Sequence, residues 1–79
     1  MTIELHWFSI LREQRGKDRE IVEFEGGSAG DLYRRLAILH AFALPVPSLR
    51  VAVNDAFAEW HTPLSDGDRV VYIAPVGGG

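Results

Sequence analysis

The chain has 79 residues, a formal net charge of -3, a hydrophobic content of 47% and no cysteine. That length makes one domain with a single core, able to hide roughly 60% of the unfolded chain's surface, and the missing thiols exclude disulfides, thiolate metal sites and a cysteine nucleophile. The eight basic residues are scattered, which gives no electrostatic footprint for nucleic acid or an anionic membrane, and no apolar run approaches the roughly 18 residues of a span, so a cytosolic protein is expected.

From Ile3 to Phe8 the sequence IELHWF alternates. Ile3, Leu5 and Trp7 fall on one side and Glu4, His6 and Phe8 on the other, the period of a half-buried strand. Phe8 is then an aromatic on the polar side. SILREQRGKDR reads as one short helical turn broken at Gly16, in a solvated stretch whose Arg12, Arg15, Lys17 and Arg19 serve mainly as solubilising cations. REIVEFE, from Arg19 to Glu25, alternates again as a second strand, with Ile21 and Glu23 opposed to Val22 and Phe24.

Gly26 and Gly27 break that strand, and Ser28 with Asp31 three residues later forms a variant of the capping box. A helix from about Ala29 to His40 is predicted, with Leu32, Leu36 and Leu39 on the face meant for a sheet and Arg34 pointing away. Pro45 and Pro47 stop the helix and extend the chain into LRVAVN, where Leu49, Val51 and Val53 form the inward set. Asn54 and Asp55 make a turn into a short return strand, AFAEW. Asp66 and Gly67 are read as a hairpin turn rather than a calcium loop, since the further carboxylates and closing Glu of an EF-hand are missing. The last strand, Arg69 to Ala74, sets Val70 and Tyr72 against Val71 and Ile73.

The order β, β, α, β, short β, β is an α+β pattern in which one helix covers one face of a mixed sheet. Apolar residues on the opposite face are the informative ones. Phe8, Phe57 and Ile73 break the expected polar alternation or follow a turn, and together they mark a candidate docking surface. His6, His40 and His61 lie on a strand, a helix end and a loop without ligand spacing, so no metal site is expected. No Ser-His-Asp or paired-carboxylate arrangement stands out.

The sequence closes on Gly77, Gly78 and Gly79. Glycine has no Cβ, so such a segment passes through a channel too narrow for side chains, and three extended residues reach roughly 10 Å. A carboxylate at its end is a poor electrophile. Chemistry there requires activation, most simply by attack on the α-phosphate of ATP to give an acyl-adenylate, from which a sulfur donor displaces AMP to leave a thiocarboxylate.

WFSILREQRG, VAVND and PLSDGDRVVYIAPVGGG, in that order and spacing, carry a resemblance over essentially the whole chain. The sequence resembles the MoaD/ThiS group of ubiquitin-like proteins, most closely the small, sulfur-carrying subunit of molybdopterin synthase. The resemblance implies a β-grasp domain over residues 1–76, four to five strands on one main helix, followed by a flexible reactive tail over 77–79. It implies that Gly79 is the residue adenylated and converted to a thiocarboxylate, with Gly78 beside it. It further implies that Phe8, Phe57 and Ile73 contact partners, together with Pro75, Val76 and a hinge-like Gly77 leading into the tail.

By the same resemblance no cofactor is bound, and ATP is used by an adenylating partner related to ubiquitin-activating enzymes. A sulfurtransferase supplies the sulfur. The large synthase subunit receives the tail in a heterotetramer, and sulfur passes to cyclic pyranopterin monophosphate. Trp7 stands where the family often has a second Phe, and Ile73 where it often has an aromatic. The alternatives are a sulfur carrier for thiamine, cysteine or tRNA thiolation, or a ubiquitin-like protein modifier. LREQRG after the first strand favours the molybdopterin branch over the thiamine one.

Overall fold

Alternation, capping and turn chemistry are realised element by element in the computed structural model, which describes residues 1–75. Strands β1 (Thr2–His6), β2 (Arg19–Glu23), β3 (Arg50–Val53), β4 (Ala56–Ala58) and β5 (Arg69–Ile73) form one mixed sheet in the order β2-β1-β5-β3-β4. The central pair β1–β5 is parallel and the other three pairs are antiparallel. Two helices, α1 (Ser9–Arg15) and α2 (Ala29–His40), and a 3-10 turn at Val46–Ser48 complete it. This is the β-grasp arrangement of ubiquitin-like proteins.

Helix α2 begins where its cap predicts. The Ser28 hydroxyl accepts from the Asp31 backbone N–H at 3.1 Å, and the Asp31 carboxylate accepts from the Ser28 N–H at 3.0 Å. Two free helix N–H groups are thereby satisfied reciprocally, and those hydrogen bonds hold the Asp31 carboxyl below its usual range. The helix buries Ala29, Leu32, Tyr33 and Leu36 against the sheet.

The face expected of α2 needs one correction. Leu39 is 66% exposed because it sits on the margin of the buried stripe in the last turn, while the chain reverses at Ala41 (φ 55) and brings Phe42 back over the opposite flank. Phe42 packs on Tyr33 at 5.9 Å and edge-on to Trp7 at 5.3 Å, taking the core place predicted for Leu39.

Tyr72 of β5 is the hub of this aromatic core. It meets Tyr33 edge-on at 5.0 Å, stacks with Trp60 at 5.9 Å and with Trp7 at 6.0 Å. Both buried phenols have partners, as burial of a hydroxyl requires. Tyr72 Oη donates to the Ala29 carbonyl at 2.8 Å and Tyr33 Oη to the Leu44 carbonyl at 2.6 Å. Burial raises both phenol pKa values.

Three further expectations are corrected. The segment after β1 is a seven-residue helix rather than a single turn, closed at Gly16 in the left-handed region (φ 82). Its Arg15 is not a free solubilising cation, because it grips Glu20 of β2 through Nε at 2.5 Å and Nη2 at 2.8 Å. The same carboxylate accepts from Trp7 Nε1 at 2.7 Å, so one acid ties together α1, the residue that follows β1, and β2. The Asp66–Gly67 turn is real but does not join a hairpin. Its Gly67 N–H donates to the Thr2 carbonyl at 2.7 Å and Asp66 Oδ1 accepts from the Thr2 N–H at 2.6 Å, which docks the turn on β1 and feeds β5 into its parallel pairing.

Candidate functional site

With α2 and the aromatic core on one face, strand periodicity sends every second residue to the other. Glu4 and His6 of β1, Val71 and Ile73 of β5, Arg50 and Ala52 of β3, and Phe57 of β4 share this outer face, with cross-strand partners His6↔Val71, Ala52↔Val71, Arg50↔Ile73 and Ala52↔Phe57.

Phe8 joins them because the extended alternation of β1 runs on past His6. Trp7 turns into the core and Phe8, still extended (φ -135, ψ 161), turns outward and is 54% exposed. Phe8 stands two residues past the last β1–β5 pair, His6↔Val71, along its own segment, as Ile73 does on β5. Ser9 (φ 50) then redirects the chain into α1.

Phe57 is held by a two-residue hairpin. Asn54 (φ 52) and Asp55 (φ 72) both adopt the left-handed conformation that matches strand twist in such turns. Asn54 Oδ1 accepts from the Arg69 N–H at 2.9 Å and Asn54 Nδ2 donates to Asp68 at 2.9 Å, while Asp55 pairs with the Arg69 guanidinium. The hairpin is therefore anchored to β5 and fixes Phe57, 67% exposed, over β3.

Along the outer face one row of the register is His6, Val71, Ala52 and Phe57, and the next, at the end of β5, holds Ile73 and Arg50; Pro75 beyond it is exposed. A hollow of about 340 Å³ between Pro47, Arg50, Ile73 and Pro75 flanks that end. Toward the start of β5 the face is charged, with Glu4 opposite Arg69 and hydrogen-bonded to His6 Nε2 at 2.5 Å. The bond from His6 holds the Glu4 carboxyl below its usual range.

Phe8, Phe57 and Ile73, the residues expected to contact partners, accordingly face the same side of the sheet, with Ile73 half-buried among its strand neighbours. Val71, Ala52 and Arg50 belong to the same surface although sequence reasoning did not single them out. The signal was present in the alternation of VVYI, whose outward members are Val71 and Ile73. Residues Val76, Gly77, Gly78 and Gly79, and with them the reactive-tail expectation, lie outside the described residues. Among the described residues no group of three or more His, Asp or Glu side chains is placed to hold a metal ion, and no helix is long and apolar enough to cross a membrane.

A five-stranded β-grasp with an apolar outer face beside the end of its last strand defines a small ubiquitin-like protein. The family model described as "ThiS family" matches residues 5–79, and the chain belongs to that family. Its function is accordingly of the ThiS/MoaD type, a sulfur carrier or a ubiquitin-like modifier. No curated protein sequence matches the chain. Among solved structures it is similar to a Pyrococcus furiosus protein assigned as molybdopterin converting factor subunit 1, at 28% identity over 96% of this chain and 99% of that one, with a TM-score of 0.82. It has the fold of SAMP1 from Haloferax volcanii, at 24% identity with both chains fully covered and a TM-score of 0.81. It also has the fold seen in the complex of subunits 1 and 2 of molybdopterin-converting factor from Helicobacter pylori, at 22% identity, 100% coverage of both chains and a TM-score of 0.70.

Proposed function

We propose that the protein is the sulfur carrier of molybdopterin synthesis, with Gly79 as the residue that bears the sulfur and Gly78 as its neighbour in the tail. The observation that carries this reading is that Ile73, at the end of β5, and the exposed Phe57 share the sheet face away from α2, with the exposed Phe8 just past β1; β5 is the strand from which the sequence runs on into VGGG. A body that docks through this face presents the glycines to a partner's active site. The similarity to the Pyrococcus furiosus protein across nearly the whole of both chains supports the molybdopterin branch.

The chemistry follows from the carboxylate. An oxygen of the Gly79 carboxylate attacks the α-phosphate of ATP in an adenylating partner, forming the acyl-adenylate and releasing pyrophosphate. Sulfur delivered at the sulfide level by a sulfurtransferase adds to the acyl carbon and expels AMP. The resulting thiocarboxylate enters the large synthase subunit, in a heterotetramer of two large and two small chains, and gives its sulfur to cyclic pyranopterin monophosphate, after which water restores the carboxylate. This chain's own residues dock and present; the activation belongs to the partner. The setting is the cytosol.

The test is reconstitution of synthesis with the large subunit and a carrier lacking Gly78 and Gly79. The truncated carrier is expected to bind the large subunit and to form no molybdopterin. Synthesis by the truncated chain overturns the proposal. Support of thiamine, cysteine or tRNA thiolation in place of molybdopterin synthesis identifies a sister pathway, and a conjugate to a partner lysine that survives boiling in denaturant identifies a modifier.

A further inference from the structure

The sheet has two edges, and β2 is the longer one. Among the described residues it pairs with β1 alone, whereas the opposite edge, β4, is only three residues long. The hydrogen-bond phase of β2 is fixed by its flanks. Met1 exchanges both backbone bonds with Phe24, at 2.7 and 2.8 Å, and the Trp7 N–H donates to the Asp18 carbonyl at 2.7 Å. Even-numbered residues of β2 therefore spend their peptide groups on β1. By the alternation of an antiparallel ladder, the N–H and C=O groups of Arg19, Ile21 and Glu23 point to the free edge.

These three residues also carry the outward side chains of β2, and all three are exposed, Ile21 by 69%. Their order is basic, apolar, acidic. Laid antiparallel on a second copy of itself about Ile21, the strand sets Arg19 against Glu23 of the other copy, Ile21 against Ile21, and Glu23 against Arg19. The register that matches the charges is the one that pairs the free peptide groups at all three positions. Exposed edges usually carry charges that repel pairing; here the charges are complementary across a two-fold axis.

We propose that the occupant of the β2 edge is a second copy of this chain, in an isologous dimer that joins two five-stranded sheets into one through antiparallel β2–β2 pairing centred on Ile21. The axis is normal to the sheet, so the outer faces of both copies lie on the same side. β2 is separated from β5 by β1, so the pairing edge does not include β5 or β4, the strands that carry Ile73 and Phe57. The dimer is independent of the sulfur-carrier reading.

Sedimentation equilibrium of the full chain at low ionic strength, where exposed ion pairs are least screened, tests this from about 10 μM to about 1 mM, the range suited to a small contact. A concentration-dependent dimer is expected. Arg19→Glu and Glu23→Arg each place like charges opposite one another twice and should weaken it roughly tenfold or more. An equimolar mixture of the two variants should dimerise as well as the wild type, because each chain then meets its complement, and the double variant R19E/E23R should recover as well. Circular dichroism melts confirm that the variants are folded. A wild-type chain that stays monomeric through the whole range, a dimer indifferent to the single changes, or a mixture that fails to recover would each overturn the proposal.

Discussion

The guanidinium carbon of Arg50 lies 4.8 Å from the ring centroid of Phe57, a cation stacked on an aromatic that is otherwise open to solvent. The pair is diagonal across β3 and β4, and it orients Phe57 on the outer face of the sheet. At an exposed site such a contact stabilises by only about 0.5–1 kcal/mol, so its consequence is for docking geometry more than for folding.

Phe57→Ser and Phe8→Ser should therefore leave the fold intact and weaken partner binding. The expected stability loss is below about 1 kcal/mol for each, since exposed side chains away from special features contribute little. Affinity for the large subunit, measured by calorimetry, should fall by roughly 10- to 100-fold per residue, as for central aromatic anchors. Unchanged affinity would remove these residues from the interface.

Glu20 gives the opposite pattern, with stability affected and docking spared. Glu20→Gln loses the charge that Arg15 grips and weakens the bond to Trp7, and the expected cost is about 1–3 kcal/mol by urea unfolding. The Arg15 hydrogen bond is the main cause that holds the Glu20 carboxyl below its ordinary value of 4.5. A depressed folded-state pKa means that the stabilisation is fully present above the unfolded value and is lost as pH falls through the folded one. The wild-type midpoint should accordingly drop below about pH 4.5, and E20Q should lack that part of the decline.

Leu36 and Leu39 separate core from surface on α2. Leu36→Ala should cost about 2–4 kcal/mol, the range for a buried leucine truncation, whereas Leu39→Ser should change stability by no more than about 0.5 kcal/mol. Thermal melts of the two variants side by side decide whether Phe42 has taken the place that periodicity assigns to Leu39.

Tyr72→Phe removes a single oxygen from the centre of the molecule. The Ala29 carbonyl loses the Tyr72 bond at 2.8 Å, and the expected destabilisation is about 1 kcal/mol. A neutral result would mean that ring packing alone, and not the link from β5 to α2, fixes the last strand.

Much of this architecture is written in local chemistry. Ser28 and Asp31 mark the start of α2 because the cap is a contact between residues three apart, and the alternation of Val70 to Ile73 assigns the faces of β5 without knowledge of its neighbours. What escaped sequence reading depends on distant partners. Arg15 looks like a solvated cation until the sheet brings Glu20 and Trp7 to it, and Asp66–Gly67 looks like a hairpin until Thr2 is found holding it to β1. Leu39 fits the helical period, but the reversal at Ala41 decides that Phe42 covers the core. At the site, Phe8 and Phe57 were visible as breaks in polar alternation. Val71, Ala52 and Arg50 became part of it only through the strand order β1-β5-β3-β4.

The carrier role comes down to one atom at Gly79. The full chain is incubated with its adenylating enzyme, ATP and a sulfur donor, and its intact mass is measured, with fragmentation to locate any change. Replacement of one oxygen by sulfur, confined to Gly79, is the expected result. An unchanged mass, with the adenylating enzyme shown to be active in the same preparation, contradicts the assignment of Gly79 as the sulfur-bearing residue.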